Sequence, residues 1–515
     1  MASRIGALIP AALAGGLVLF VLVPLLAVAG RATGFALGPS DWGAVRFTVA
    51  QAFVSAVVSV GLAVPVARAL ARRSFPGRGL LITLMGAPFL LPTIVAVLGL
   101  VAVLGRSGVV NQTLSLFGIG PFSIYGAHGV VLAHVFLNLP LAVRMILQGW
   151  QAVPAERFRL AESLGFGPAE LFRHIERPML RAVVPGALLV VFVICLTSFA
   201  VALTLGGGPR ATTVELAIFQ AVRFDFDLGR AAVLAAVQFG LCAVVAVLGW
   251  FLVTPTAFGA GLGRAPGHRV AKGWRLWGDG LAIGLAAAFL LLPLGAVVLR
   301  GLPGLMDLPQ TVWAALGRSV AVAVASTAVT VVAALVLALA VARGGRGAGA
   351  MDAAAALPLA TSGLVLGVGL FLMAQPFVSP ARLALPVTVA VNAALSLPFV
   401  YRLLLPEARV LRADYGRLAD SLALRGWARV RWLILPRLAR PLGFGAGLAA
   451  ALSMGDLGVI ALFATEQGAT LPLIVQRLMG AYRMETAAAA ALLLVAVSFA
   501  LFWAFDLWGR RYASV

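Results

Sequence analysis

The sequence is short of charge, lysine, histidine and cysteine. Charged residues make up 11% of the 515 residues, and there are four histidines, two cysteines and a single lysine, Lys272. Soluble domains carry about a quarter charged residues, so the chain has no room for a large soluble domain. Two cysteines inside apolar runs exclude a disulfide framework, and four scattered histidines lack the spacing of a metal site. We expect no metal and no cofactor.

A nucleotide-hydrolysing site is also missing from the sequence. A P-loop needs Gly-x-x-x-x-Gly-Lys-Ser/Thr, and Lys272 follows Ala271 and precedes Gly273. The few histidines form no nucleophile–base–acid set and no His-Glu-x-x-His pattern. We therefore expect that this chain is not an enzyme.

Apolar sequence is what the chain has in quantity. Hydrophobic residues account for 62% of it, and the mean hydropathy is +1.04. Continuously apolar runs of about 20 residues predict transmembrane helices, whereas the strands of a membrane barrel alternate apolar and polar residues. We predict an all-α integral membrane protein with twelve spans. They are expected at about 6–29, 46–70, 79–105, 128–150, 184–205 and 230–254, and at about 277–299, 317–342, 351–374, 383–405, 442–464 and 486–508.

The formal net charge of +21 comes almost entirely from arginines in the loops between these runs. Arginines cluster on one predicted side of the bilayer, for example from Arg68 to Arg78 and from Arg144 to Arg181. By the positive-inside rule this side is cytoplasmic, which places both termini inside the cell. Charge that follows membrane topology indicates a lipid bilayer as the partner and no nucleic acid.

A short polar segment occurs twice. Residues 159–165 (RLAESLG) recur 258 positions later as residues 417–423 (RLADSLA). Each copy predicts a short helix, a turn, and a second helix that, in the first copy, ends before Pro178. The turn is expected at Gly165 in the first copy and at Ala423 or Gly426 in the second.

The duplication divides the chain into two tandem repeats of six spans. We expect membrane domains at 1–255 and 277–515, joined by a cytoplasmic linker at 256–276. An even number of spans in each repeat gives the halves parallel topology, with a pseudo-two-fold axis along the membrane normal. Leu22 to Leu25 (LVPL) recur as Leu291 to Leu294 (LLPL), so the first apolar run is expected to be an uncleaved span and not a signal peptide.

The two polar segments resemble the EAA loops of ABC importer permeases, whose pattern is Glu-Ala-Ala, three residues, Gly, nine residues and Ile-x-Leu-Pro. Gly165, Ile175 and Pro178 match that spacing, whereas Arg159 replaces the leading Glu and Ala423 replaces the second Gly. The resemblance implies the type I importer permease (MetI-like) fold, with each loop docked on one of two copies of a cytoplasmic ABC ATPase subunit. The docking residues that it implies are Ala161, Glu162, Ser163, Gly165, Ile175 and Pro178, and Ala419, Asp420, Ser421, Ala423, Leu433 and Pro436.

Further segments resemble the fused permeases of bacterial thiamine ABC transporters. They include residues 205–209 with three successive glycines, residues 225–227 (DFD) and residues 453–459 (SMGDLGV). This resemblance implies a subunit that moves thiamine or thiamine phosphates across the inner membrane from a periplasmic thiamine-binding protein. A fused permease for ferric iron or another small solute, and an ion-coupled secondary transporter, stay open as alternatives.

Six residues are candidates for the translocation pathway or its outer gate. A carboxylate inside the eleventh apolar run is costly unless it faces a cavity or a partner, and its repeat counterpart is a serine. A pathway role for a cationic substrate and a structural hydrogen bond between helices are both open for this carboxylate. Glycines after the fifth run preclude a continuous helix. The six candidates are Ser198, Asp456, Gly206, Gly207, Gly208 and Glu215.

Overall fold

The computed structural model of the chain describes residues 2–32, 37–86, 91–206, 208, 211–252, 274–465 and 468–513. None of these residues forms a β-strand, which agrees with the predicted all-α class. The helices of the first half are α1 (Ala2–Arg31), α2 (Pro39–Arg72), α3 (Arg78–Leu84), α4 (Thr93–Leu104), α5 (Val109–Leu116), α6 (Ala127–Ala152), α7 (Ala155–Ser163), α8 (Pro168–Leu171), α9 (Arg177–Leu196), α10 (Phe199–Leu205), α11 (Val214–Arg223) and α12 (Leu228–Leu252).

The second half has a closely similar order of helices. They are α13 (Trp274–Gly301), α14 (Gln310–Arg343), α15 (Ala348–Ala356), α16 (Gly363–Ala374), α17 (Ala384–Ser421), α18 (Gly426–Arg429), α19 (Leu435–Met454), α20 (Gly458–Phe463), α21 (Leu471–Gly480) and α22 (Met484–Ala513). Two π-helices, Phe172–Glu176 and Val430–Ile434, precede α9 and α19, and short 3-10 helices lie at Pro303–Leu305, Leu357–Ala360 and Pro380–Leu383.

Eleven of the described helical segments are long and apolar enough to cross a membrane, and a twelfth is obtained if one sharply bent pair counts as a span. This agrees with the twelve predicted spans. The bent pair is the ninth span, expected as a continuous run at 351–374. Its two parts meet at 93° before Gly363, where the Ser362 hydroxyl accepts a hydrogen bond from the Val365 N–H at 3.1 Å. The third span, expected at 79–105, is likewise divided, because α3 ends at Leu84 and α4 begins at Thr93.

The fifth and eleventh spans are broken too, although 184–205 and 442–464 were expected to be continuous. The chain leaves α9 at Leu196 and enters α10 at Phe199, and it leaves α19 at Met454 and enters α20 at Gly458. Both breaks lie in the second half of an apolar run. Composition alone does not reveal them, since the flanking residues are equally apolar.

The two halves differ where the fourth and tenth spans end. In the first half α6 ends at Ala152, and Val153 and Pro154 separate it from α7. Proline restricts the residue before it to extended conformations, and Val153 has ψ of 123°. The repeat counterpart of Pro154 is Arg412, so α17 continues without a break to Ser421.

By its internal contacts the chain divides into two compact units. Unit 1 comprises Met1–Gly38, Val214–Ala243 and Gly301–Val515, and unit 2 comprises Pro39–Thr213 and Val244–Arg300. The first helix of each repeat therefore belongs to the unit that holds most of the other repeat. The expected linker 256–276 lies outside the described residues except for its last three positions, so its role stays a prediction.

We call α1 and α13 the exchanged helices, because each belongs to the unit that holds most of the other repeat. Glycines allow each of them to pack closely against a neighbouring helix of its unit. In unit 1, a Cβ atom on Gly369 of α16 would lie 2.5 Å from the carbonyl oxygen of Pro24 in α1. In unit 2, a Cβ atom on Gly99 of α4 would lie 2.7 Å from the carbonyl oxygen of Pro293 in α13. Small residues at helix contacts in membranes permit this kind of backbone approach.

We expect Gly369→Ala to lower the free energy of unfolding by about 1–3 kcal/mol, because the added methyl group overpacks the contact with α1. The measurement is the thermal unfolding midpoint of the purified protein in detergent. Gly349→Ala is the matched control, because a Cβ atom at Gly349 of α15 has open space around it. Equal midpoints for the two variants would contradict the proposed close packing of α1.

Candidate functional site

The first polar segment folds as a helical hairpin, residues 155–178, which we call the first hairpin. Its helix α7 ends in a turn where Gly165 has φ of +68°. The Gly165 N–H donates to the carbonyl of Glu162 at 3.0 Å, and the Phe166 N–H donates to that of Ala161 at 2.9 Å. These two bonds satisfy carbonyl groups at the helix end, as a left-handed C-terminal cap does.

The second hairpin, residues 413–436, has the same turn without a glycine. Ala423 takes φ of +50°, its N–H donates to the carbonyl of Asp420 at 3.1 Å, and the Leu424 N–H donates to that of Ala419 at 2.9 Å. Of the two expected positions, the turn is therefore made at Ala423. Gly426, with φ of +55°, starts the next helix. A left-handed alanine costs about 1 kcal/mol, which the two bonds offset.

Matched residues of the two hairpins have the same surroundings. Ala161 and Ala419 are buried, whereas the side chains around them, including Glu162, Ser163, Asp420 and Ser421, are exposed. Leu164 and Leu422, which end the two helices, are each 62% exposed. Large apolar side chains exposed at the tips of two equivalent hairpins are typical of a surface that another protein covers.

The prediction that the second helix of the first hairpin ends before Pro178 is wrong, because in both hairpins the second helix continues into the membrane span. In the first hairpin α8 passes into the π-helix Phe172–Glu176 and then into α9, with Pro178 in its first turn. Val430–Ile434 and Pro436 repeat this arrangement. Proline lacks an N–H and clashes with the carbonyl four residues earlier in an α-helix, and a wider π turn relieves that clash. Ile175 and Leu433 lie half-buried within the two π-helices.

Ser198 and Asp456 lie at the breaks of the fifth and eleventh spans. Ser198 precedes α10 in extended conformation, and its side chain makes no capping bond. The carboxylate of Asp456 accepts hydrogen bonds from the backbone N–H groups of Gly458, Val459 and Ile460 at the start of α20. This arrangement supports the structural alternative for Asp456, while its Oδ2 atom has no hydrogen-bond partner among the described residues.

A buried residue that accepts hydrogen bonds lies three positions before Asp456 and three positions before Ser198. Neither of these two residues is among the six pathway candidates. In unit 1, Ser453 receives hydrogen bonds from Asn392 at 2.9 Å and from Ser326 at 2.9 Å, which joins α19 to α17 and α14. In unit 2, the matching residue is Cys195, whose carbonyl accepts from Gln51 at 3.0 Å. The available signal was one polar side chain in each of three apolar spans, namely Ser326, Asn392 and Ser453.

Three glycines follow α10 at the beginning of the segment that leads to α11. Gly206 is required by close packing, because a Cβ atom there would lie 2.3 Å from the carbonyl oxygen of Ala202 and 2.9 Å from that of Ala211. Gly208 has φ of +120°, a conformation that favours glycine. Gly207 lies outside the described residues, so its role stays a prediction.

Glu215, in the first turn of α11, is buried in unit 1. Its carboxylate accepts hydrogen bonds from the Ser362 hydroxyl at the break of the ninth span and from the Gln238 amide of α12. Both partners are neutral, and Oε1 has no hydrogen-bond partner among the described residues. A buried carboxylate with only neutral partners is expensive to keep ionised. Glu215 therefore holds α11 against the helix break chiefly by hydrogen bonding.

Two exposed aromatic residues occupy strained backbone positions that the sequence analysis did not identify. Phe226, just after α11, has φ of +52° and is 79% exposed, and Tyr482, just after α21, has φ of +58° and is 86% exposed. Bulky residues seldom adopt positive φ. Strain of this kind persists where the surrounding structure enforces it, and it is common at functional surfaces.

The chain matches no protein-family model. It is 37% identical to the thiamine transport system permease protein ThiP of Salmonella typhimurium, over 92% of this chain and 90% of the relative. It is 38% identical to the protein of the same name from Brucella abortus, over 89% of this chain and 86% of the relative. The Escherichia coli protein of that name is 37% identical, over 98% of this chain and 97% of the relative.

We expect Gly165→Ala to lower the stability of the first hairpin by about 1 kcal/mol, since it introduces the left-handed alanine that the second hairpin already tolerates. Amide hydrogen exchange of the Gly165 and Phe166 N–H groups measures the change. Ala423→Gly is the reverse substitution, and protection of the second turn should stay the same or rise. Faster exchange in Ala423→Gly would contradict the assignment of the turn to Ala423.

Proposed function

The chain belongs to the family of thiamine transport system permease proteins, and on this premise we propose that it is the membrane-spanning subunit of an ATP-driven importer. In this proposal it carries thiamine or thiamine phosphates across the inner membrane. The duplicated hairpins are the observation that carries the proposal, because one chain presents the same turn, the same hydrogen bonds and the same exposed leucine twice.

Two copies of a cytoplasmic ABC ATPase dock on the hairpins in this mechanism. Each hairpin offers an exposed apolar tip, Leu164 or Leu422, beside an acidic residue, Glu162 or Asp420. A short amphipathic helix of this kind fits a groove on a partner protein. The π-helices continue each hairpin into a membrane span, so a movement of the docked ATPase is passed directly to α9 and α19. This chain hydrolyses no ATP itself.

A periplasmic thiamine-binding protein delivers the substrate on the opposite side. The arginine distribution supports an orientation with both hairpins and both termini in the cytoplasm. On that orientation Phe226 and Tyr482 face the periplasm. Exposed aromatic side chains held rigidly by the backbone are typical anchor residues of protein interfaces. We assign them to the dock of the binding protein.

The substrate pathway passes the helix breaks of the fifth and eleventh spans. Broken helices at membrane depth are found where they line a cavity or are buried in protein. Asp456 supplies one negative charge at such a break, which suits a cationic substrate such as thiamine. Its repeat counterpart Ser198 is neutral. The pathway in this proposal is therefore asymmetric in charge.

The segment from Gly206 to α11 serves as the outer gate. Gly206 and Gly208 provide the tight path of the chain, and the gate role of Gly207 stays a prediction from the sequence. Glu215 latches α11 to the break at Ser362, so opening the gate requires these hydrogen bonds to separate. A latch made from neutral partners opens at a smaller free-energy cost than a buried ion pair.

We expect uptake of labelled thiamine into liposomes that hold this chain with its ATPase, provided that ATP and the binding protein are present on their respective sides. Hydrolysis-driven transport requires all of these components, so omission of any one should abolish accumulation. Accumulation of ferric iron but not thiamine would contradict the substrate. Uphill accumulation without nucleotide would contradict the whole mechanism and favour a secondary transporter.

Variants of the hairpin tips provide the control for this experiment. Leu164→Ser and Leu422→Ser should each weaken retention of the ATPase during purification, and the double variant should lose both ATPase and uptake. Leu116→Ser changes a leucine of α5 that is also exposed and lies outside both hairpins. It should keep both activities.

We expect Asp456→Asn and Asp456→Ala to separate the two possible roles of this residue. Asparagine caps a helix about as well as aspartate, whereas alanine costs about 1 kcal/mol. If Asp456 is part of the pathway, Asn lowers the rate of thiamine uptake while the thermal unfolding midpoint stays unchanged, and Ala lowers both. An Asn variant with wild-type uptake would remove Asp456 from the pathway and leave it the structural cap.

A further inference from the structure

Glu176, the last residue of the first π-helix, is fixed between two arginines of α2. Its carboxylate is 1% exposed. The Arg72 Nη2 atom donates a hydrogen bond to Oε1 at 2.5 Å, and the Arg68 Nε atom lies 2.9 Å from Oε2. Both carboxylate oxygens thus face a guanidinium group, although Oε2 and the Arg68 Nε form an ion pair without a hydrogen bond among the described residues. The charge-assisted hydrogen bond from Arg72 is of a kind that is among the strongest in proteins.

Residues at and just after the same end of α2 make two further contacts in unit 2, one with the beginning of the π-helix and one with α13. The Arg68 guanidinium lies 5.7 Å from the centroid of the Phe172 ring, at the beginning of the π-helix, within the range of a cation–π contact. The Arg73 guanidinium pairs with Asp279 of α13 at 2.7 Å. The π-helix is therefore attached to α2 at its first and its last residue, and α2 is attached in turn to α13.

The second hairpin has no acid at the corresponding position. The repeat counterpart of Glu176 is Ile434, which is buried in an apolar cluster with Val341 of α14 and Leu438 of α19. Arg72 is the last residue of α2, as Arg343 is of α14, and Arg68 one turn earlier corresponds to Leu339. The structure thus anchors one π-helix by charge and the other, at the same position, by apolar packing.

These two kinds of anchor respond differently to a moving hairpin. Apolar contacts are non-directional, and they tolerate sliding as long as area stays buried. A buried carboxylate between two guanidinium groups cannot slide without leaving a charge unpaired, which is strongly unfavourable. A displacement of the first hairpin must therefore move α2 with it.

We propose that Glu176 is a positioning residue that ties the first hairpin to α2 through Arg68 and Arg72. The movement of the ATPase docked on the first hairpin then reaches α2, whereas the second hairpin has Ile434 in place of the acid and lacks this tie to α14. This inference rests on the proposed function, because it assumes an ATPase on the hairpin. It adds a functional difference between two hairpins that otherwise match: the first transmits the ATPase movement through a buried ion pair, and the second has apolar packing at the same position.

The experiment uses the full chain with its ATPase and binding protein in liposomes, and measures labelled thiamine imported per ATP hydrolysed. Glu176→Gln removes the charge and keeps the shape. We expect the ATPase to stay bound and to hydrolyse ATP, while thiamine imported per ATP falls by about tenfold. A tenfold change corresponds to about 1.4 kcal/mol, and the loss of a charge-assisted contact in a buried site costs at least this much.

The double variant Glu176→Ile with Arg68→Leu guards against simple misfolding. It copies at the first hairpin the pair Ile434 and Leu339 that the second hairpin uses, so it should fold and bind the ATPase. We expect the same fall in thiamine imported per ATP. Glu407→Gln is the matched control, since Glu407 of α17 is exposed and lies outside both hairpins, so that this variant should import as much thiamine per ATP as the wild type.

The outcomes separate the two proposals. Unchanged import per ATP in the double variant overturns the role of Glu176, and so does loss of the bound ATPase in that variant, because the contact then shapes the docking surface and does not transmit movement. Failure of the wild-type chain to bind an ATPase or import thiamine overturns the proposed function itself.

Discussion

Every break in a membrane helix leaves backbone groups that the hydrocarbon cannot satisfy, and the rest of this structure depends on how that constraint is met. At the break of the ninth span, the Ser362 hydroxyl accepts from a backbone N–H and also bonds Glu215. At the break of the eleventh span, Asp456 accepts from three backbone N–H groups. Polar side chains are therefore placed at both of these breaks, and the candidate pathway residues Asp456 and Glu215 are among them.

The features that recur in both repeats are those that packing requires. Both hairpins close with the same two backbone bonds, both continue through a π-helix, and both exchanged helices rest on a glycine, Gly99 or Gly369. Each feature answers a local problem, such as a proline in a helix or two backbones in contact. A duplicated chain can vary many side chains without losing these solutions, because they depend on backbone geometry more than on residue identity.

The sequence predicted what depends on the length of apolar runs and on repetition: the helical class, the number of spans and the two hairpins. The breaks at Ser198 and Asp456 escaped prediction because apolar residues flank them on both sides. The π-helices escaped because a shift of the hydrogen-bond register has no compositional signature. Ala423 shows a third reason, since its left-handed turn goes against the preference of alanine, and the sequence therefore left the choice between Ala423 and Gly426 open. The exchange of α1 and α13 between units is a matter of tertiary packing, which apolar runs and repetition do not reveal.

Fusion of the halves explains why the costly groups occur once. In a symmetric dimer of identical chains, any buried carboxylate appears twice, and its desolvation cost is doubled. Here Asp456 has a serine as its counterpart, Glu176 has Ile434, and the second residue of α11 is Glu215 where that of α21 is Pro472. Each of these three acids stands in one repeat against a neutral residue in the other. A single chain can therefore keep a duplicated frame for stability and hold a buried ionisable group in one repeat without repeating it in the other.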